Sequence, residues 1–163
     1  NYMFVKCGIS DLTKILSDCG VIFDMSTAAA STYLVNDCPN LTTLPVLDCR
    51  TRAHMHYLIN AAPKLHTVEK VILKEEGSQT FNAYSFSSLP GLKEIRFAGC
   101  IGNSLEIKDS LLLSTESVQS IIDCLKDLTG ETAQTLTLHA TVGANMTEEQ
   151  KATITAKNWT LVY

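Results

Sequence analysis

Residues 45–68 read PVLDCRTRAHMHYLINAAPKLHTV, and residues 21–44, immediately before them, read VIFDMSTAAASTYLVNDCPNLTTL. Superposed without a gap, nine of the 24 positions are identical: Asp24/Asp48, Thr27/Thr51, Ala29/Ala53, Tyr33/Tyr57, Leu34/Leu58, Asn36/Asn60, Pro39/Pro63, Leu41/Leu65 and Thr43/Thr67. Other positions exchange one apolar residue for another, as in Ile22/Val46, Phe23/Leu47, Val35/Ile59 and Leu44/Val68. A chain that says nearly the same thing twice at a fixed interval builds one supersecondary unit more than once.

The anchor of the unit is a tyrosine, then apolar residues, then Cys, Ala or Leu, then Pro or Gly, and usually Leu. It occurs as Tyr33-Leu-Val-Asn-Asp-Cys-Pro-Asn-Leu41, Tyr57-Leu-Ile-Asn-Ala-Ala-Pro-Lys-Leu65 and Tyr84-Ser-Phe-Ser-Ser-Leu-Pro-Gly-Leu92, with a damaged copy, Tyr2-Met-Phe-Val-Lys-Cys-Gly-Ile9, at the start. The four tyrosines are 31, 24 and 27 residues apart. Six residues before the last three stand Thr27, Thr51 and Ser78, each a good N-cap. Eleven residues after them come Leu44, Val68 and Ile95, each within a short apolar alternation.

One unit therefore predicts a cap, a short helix or helical turn, a Pro/Gly break, and a strand of the form Leu-x-x-Leu-x-Val. Leu41-Thr-Thr-Leu-Pro-Val46 and Leu92-Lys-Glu-Ile-Arg-Phe97 carry that strand, while Val68-Glu-Lys-Val-Ile-Leu73 permits two registers. Repetition at this interval with that pattern predicts an α/β fold: a short leucine-rich repeat solenoid, strand plus short helix per 24–27-residue unit, with units near 1–20, 21–44, 45–68, 69–95 and 96–113. A single such unit cannot bury its apolar face, whereas stacked units share one core.

After residue 113 the repeat stops. Ser114-Thr-Glu-Ser-Val-Gln-Ser-Ile-Ile-Asp-Cys-Leu-Lys-Asp-Leu-Thr-Gly130 reads as an amphipathic helix, capped by Ser114 or Thr115, with Glu116 in its first turn and Gly130 at its end. Gln134–His139 reads as a strand, Thr147–Lys157 as a second helix and Trp159–Tyr163 as a last strand. Residues 114–163 thus predict a C-terminal α/β capping unit.

A length of 163 residues suits one domain with a real core, and 45% hydrophobic with 18% charged residues are globular values. A net charge of −4, with scattered acids, offers no footprint for nucleic acid or an anionic membrane. No apolar run approaches the ~20 residues that span a bilayer, so no membrane insertion is expected. The chain opens on Asn1 without a basic-then-apolar leader and reads as a piece of something longer. Cysteines stand singly at 7, 19, 38, 49, 100 and 124, without a CxxC pair, so a zinc ribbon is unsupported and no metal or other cofactor is expected. Because Cys7 and Cys38 share a slot with Ala62 and Leu89, they read as free thiols at a small buried site.

The phrase Tyr-φ-φ-x-x-Cys-Pro-x-Leu-x-x-Leu resembles the BspA-like, 26-residue surface repeats of bacteria, whose recurring YMFxxCxxLxxL opening Tyr2-Met-Phe-Val-Lys-Cys7 matches. The tail, SLLLSTESVQSIIDCLKDLTGETAQTLTL through MTEEQKATITAKNWTLVY, resembles the ending of such repeats in tail-associated proteins of phages and prophages of gut Firmicutes. The resemblance implies a leucine-rich repeat fold, an extracellular, cell-surface or virion location, and no shared catalytic residues.

Candidate chemistry is sparse. His54-Met-His56 is the only His pair, and on a helix residues two apart point to different faces, so the pair reads as ordinary histidines despite nearby Cys49. Asp24 and Asp48 recur at one position after the strand and read as turn residues accepting backbone N–H bonds. No GxSxG, HExxH or SxxK occurs, Gly99-Cys-Ile-Gly102 reads as a turn, and the Asn-x-Thr triplets at 40, 145 and 158 read as coincidence. The sequence does not read as an enzyme.

What remains is surface. Strand alternation places Thr43, Pro45 and Leu47, then Glu94, Arg96 and Ala98, then Thr135, Thr137 and His139, outward on the concave sheet. The expectation is non-catalytic recognition or adhesion, with that face binding a cell-envelope glycan or protein. The alternative is an assembly or spacer module whose partners are other subunits of a fibre or tail.

Overall fold

The computed structural model describes residues 2–6, 8, 10, 23–24 and 33–163. The strands are β1 (Tyr2–Val5), β2 (Phe23–Asp24), β3 (Tyr33–Asn36), β4 (Thr43–Asp48), β5 (Ile59–Asn60), β6 (Thr67–Ile72), β7 (Phe86–Ser87), β8 (Glu94–Ala98), β9 (Leu105–Ile107), β10 (Gln134–Leu138) and β11 (Trp159–Val162). The helices are α1 (Thr115–Cys124), α2 (Ala140–Asn145) and α3 (Glu148–Ala156). The strands form three small parallel sheets, ordered β1-β3-β5-β7, β2-β4-β6-β8 and β11-β10-β9.

The duplicated phrase is paired with itself. Val35 lies opposite Ile59 and Asn36 opposite Asn60, while Thr43 lies opposite Thr67 and Leu44 opposite Val68. Each of these pairs joins residues 24 apart, the interval of the sequence repeat. The wider spacings appear in the same way, in Tyr2 opposite Tyr33 and Ile59 opposite Phe86.

The strand-plus-helix leucine-rich repeat solenoid is overturned. The chain is α/β with three small parallel sheets and few helices, and among the described residues before 114 no helix occurs. The segment read as a helical turn, Tyr33-Leu-Val-Asn36, is strand β3. Its counterparts are the strands Ile59–Asn60 and Phe86–Ser87. Each short strand is followed at once by a residue with left-handed backbone, Lys6, Asp37, Ala61 and Ser88, with φ between 51° and 55°. That kink stops a helix from propagating and turns the chain toward the next slot. The amide four residues after Asp37, Ala61 and Ser88 closes the turn: Leu41 N–H donates to Cys38 C=O, Leu65 to Ala62 and Leu92 to Leu89. Thr51 and Ser78 cap no helix, and Thr27, Cys7 and Cys19 lie outside the described residues.

The core lies between the two four-stranded sheets. Leu34, Ile59 and Phe86 from one meet Leu44, Leu47, Val68, Val71 and Ile95 from the other in one buried cluster. Phe86 and Phe97 join the sheets edge to face, with ring centroids 5.8 Å apart. Cys38, Ala62 and Leu89 are all buried, as their exchange of residue types implied. Between them Asn60 Nδ2 donates to Asn36 Oδ1 at 2.6 Å and Ser87 Oγ to Asn60 Oδ1 at 2.5 Å, satisfying polar side chains rung by rung.

β6 uses both of its possible registers. Against β4 it runs straight, but against β8 the pairing shifts between Val68 and Val71, a β-bulge. The bulge lets Val68 and Val71, three apart, both point inward, with Glu69 and Lys70 exposed between them.

Helix α1 then closes this sheet. Ser114 caps it as expected, but it ends at Cys124 rather than near Gly130. Leu125 is already extended and bridges Ile101, and Lys157 Nζ donates to the helix's terminal carbonyls, Ile122 O and Leu125 O. Thr147 and Gln150 form a reciprocal capping box at the start of α3. Helix α2, capped by His139, has no counterpart in the sequence reading.

Candidate functional site: a charged groove between sheet and helix

The bulge in β6 determines what stands beside Arg96. With Val68 opposite Ile95 and Val71 opposite Phe97, Glu69 and Lys70 together oppose the single residue Arg96. Lys70 and Arg96 are both exposed on the outer face of the sheet. Across from them runs α1, whose Glu116, Gln119 and Asp123 lie at i, i+3 and i+7 and so share one face. These groups line a groove of about 410 Å³, floored by Phe97 and Ser120.

The two walls carry opposite charge, yet neither Lys70 nor Arg96 forms an ion pair among the described residues. The wall itself is braced. Gln119 Nε2 donates to Asp123 Oδ1 at 2.8 Å, and Gln119 Oε1 accepts from Gln150 Nε2 at 3.2 Å. Ser120 Oγ accepts from Phe97 N at 2.9 Å. A cleft with cations on one side and carboxylates on the other can take a ligand bearing both signs of charge. Cys124 also lines it, but burial above all, with Asp123 and Cys100 adding to it, pushes the thiol up to about 11, so it stays protonated at neutral pH.

The residues expected on one concave face fall in several places. Leu47 is 0% exposed and Pro45 is buried, so neither can present itself to a ligand. The physical reason is parity: the inward residues of β4 are Leu44 and Leu47, three apart, so strict alternation fails between them. Thr43 is half-buried opposite Thr67. Glu94 is spent on the fold, its Oε2 accepting from Ser114 Oγ at 3.0 Å. Of that set Arg96 alone reaches the groove. Thr135 and Thr137 lie on the outer face of β10, beside Asn82 and Glu106, away from Arg96. His139 caps α2, its Nδ1 accepting from Thr141 N at 3.1 Å.

His54 and His56 are not helical, which corrects the argument that they face apart. Their ring centroids are 5.1 Å apart, and Thr80 Oγ1 lies 2.7 Å from His54 Nδ1 and 3.2 Å from His56 Nε2. No group of three or more His, Cys, Asp or Glu residues that could hold a metal ion occurs among the described residues. Arg52, 3% exposed, donates through Nε to His54 C=O, while its Nη1 and Nη2 make no hydrogen bond among the described residues. Asp48 accepts from Arg50 N at 3.2 Å, the turn role expected of it, and the Arg50 guanidinium holds its carboxyl below the usual range. Burial pushes the Cys49 thiol up to about 12.

Sequence reasoning missed Lys70, Glu116, Gln119 and Asp123. The three helix residues were legible as the polar stripe of an amphipathic helix, whereas Lys70 depends on a bulge that the pattern left ambiguous. No helix among the described residues is long and apolar enough to cross a membrane. No protein-family model, curated protein or solved structure matches the chain.

Proposed function

We propose that the chain is a non-catalytic recognition module of a surface or virion protein, binding a cell-envelope protein or glycan through the groove between β6–β8 and α1. The observation that supports this most is the pair of exposed cations, Lys70 and Arg96, set opposite Glu116 and Asp123 and without ion-pair partners among the described residues. The match of Tyr2-Met-Phe-Val-Lys-Cys7 to bacterial surface repeats supports an extracellular setting. The test is saturable binding of the labelled chain to intact Gram-positive cells, to mucin and to matrix proteins, beside an Arg96→Glu variant. Binding that the variant loses supports the reading, and its absence on every surface refutes it.

A second reading, assembly within a fibre or tail, draws on a different observation. Leu112 and Tyr163 are 52% and 51% exposed, beside the exposed Leu111 and Val162. Among the described residues β11 pairs on one side alone, with β10. An unprotected edge beside exposed apolar side chains favours self-association. Concentration-dependent multimers by light scattering, unaffected by Arg96→Glu, would support that reading over the first.

A further inference from the structure

A second cavity, of about 240 Å³, opens between the 81–83 segment and the outer face of β9 and β10. Its lining differs in kind from that of the charged groove. Phe81, whose ring lies 6.4 Å from that of Phe86 and packs on the core, supplies an apolar surface. Around it stand Asn82, Ser104, Glu106, Thr135 and Thr137.

Several of these polar groups are pre-set and left open. Asn82 Oδ1 accepts from Tyr84 N at 3.0 Å and Ser85 Oγ at 3.3 Å, which fixes the amide and leaves its nitrogen to donate. Ser104 Oγ donates to Gln134 Oε1 at 2.9 Å and accepts from Thr135 N at 3.0 Å, locking β10 beside the cavity. Glu106 is paired through Oε1 with Lys108 Nζ, and its second oxygen remains an acceptor. The hydroxyls of Thr135 and Thr137 carry no hydrogen bond among the described residues.

We infer that this cavity binds one uncharged sugar ring. A pyranose has an apolar C–H face, which suits Phe81, and a rim of vicinal hydroxyls that both donate and accept. Asn82 would donate to that rim, Glu106 would accept from it, and the two threonine hydroxyls can do either. With Glu106 paired to Lys108, the residues lining the cavity include no cation to hold the carboxylate of an anionic sugar. The volume falls below the ~300–1,000 Å³ of a drug-sized pocket, which fits a single ring rather than an extended chain. The site is separate from the charged groove and stands or falls independently of it.

The test is amide chemical-shift mapping by NMR with D-glucose, D-galactose, D-mannose, N-acetylglucosamine and D-glucuronate, with tetra-alanine as a peptide probe. The expected result is saturable shifts at residues 105–107 and 135–138 with at least one neutral sugar. D-glucuronate should bind no more tightly than the neutral sugars. Thr135→Val with Thr137→Val, which keeps shape and strand preference, should weaken binding at least tenfold while Arg96→Glu leaves it unchanged. Thr135→Ser with Thr137→Ser should restore it, which separates lost hydroxyls from a damaged fold. No shift with any neutral sugar, equal binding of tetra-alanine, or indifference to the valine pair would overturn the assignment.

Discussion

Ser117 Oγ lies 2.9 Å from the Ile95 amide nitrogen, accepting the hydrogen bond that a further β-strand would take. The same hydroxyl donates to Lys93 C=O at 3.2 Å, and one turn on Ser120 repeats the contact with Phe97 N at 2.9 Å. On the other ladder Asp109 Oδ2 accepts from Ser88 N at 2.8 Å. The C-terminal edges of both four-stranded sheets are thus met by side chains, a polar termination that discourages another chain from adding there.

Ser117→Ala should therefore cost more than a surface substitution. It leaves a buried amide without an acceptor, a loss of about 1–3 kcal/mol. Urea denaturation should show the midpoint falling at unchanged slope, whereas a change under ~0.5 kcal/mol, the surface range, would mean the amide finds another acceptor.

Arg52→Met should be neutral or stabilising. The guanidinium is buried with both terminal nitrogens unpartnered among the described residues, and burial holds its pKa below the usual arginine value. Burying a charge without partners is costly, and an apolar chain of similar length removes that cost while filling the space. A loss of more than ~2 kcal/mol in the same denaturation experiment would exceed the one hydrogen bond at His54 C=O and contradict this.

His56 should make stability depend on pH. Burial first, then His54 and Arg52, hold its pKa below the usual 6.5, so between that lowered value and 6.5 the unfolded chain binds more protons than the folded one. Stability therefore rises with pH through this window and is lost as pH falls through it. The Asp48 carboxyl is held below 3.8, so its contribution is lost only in stronger acid. An NMR titration of the His56 ring should give a midpoint under 6.5, and His56→Gln should flatten the pH slope. A midpoint at or above 6.5 would contradict the burial argument.

The period of the fold was legible because identical residues are in-register neighbours: Asn36 could be matched to Asn60 on paper and sits beside it in the sheet. The type of element was not. Tyr33-Leu-Val-Asn36 is too short to show alternation, and Thr51, six residues before Tyr57, imitates a helix cap. The decisive turns use left-handed Asp37, Ala61 and Ser88, where no glycine marks them. The site was legible where alternation held. Ile95, Arg96 and Phe97 alternate cleanly, and Arg96 is exposed as expected. Leu47 was misplaced because β4 turns two residues three apart toward the core. Glu94 was expected to face outward for a ligand but is held by the Ser114 hydroxyl.

The reading of the groove depends on its charges acting together, and a titration of the purified chain against Gram-positive cell-wall fractions isolates them. Wild type, Lys70→Glu with Arg96→Glu, Glu116→Lys with Asp123→Lys, and Lys64→Glu, on the distant turn after β5, would be compared at low and high salt. The proposal predicts saturable wild-type binding, at least tenfold weaker for each groove pair, unchanged for Lys64→Glu and weakened by salt. Equal binding by all four proteins, or none by wild type, would contradict it.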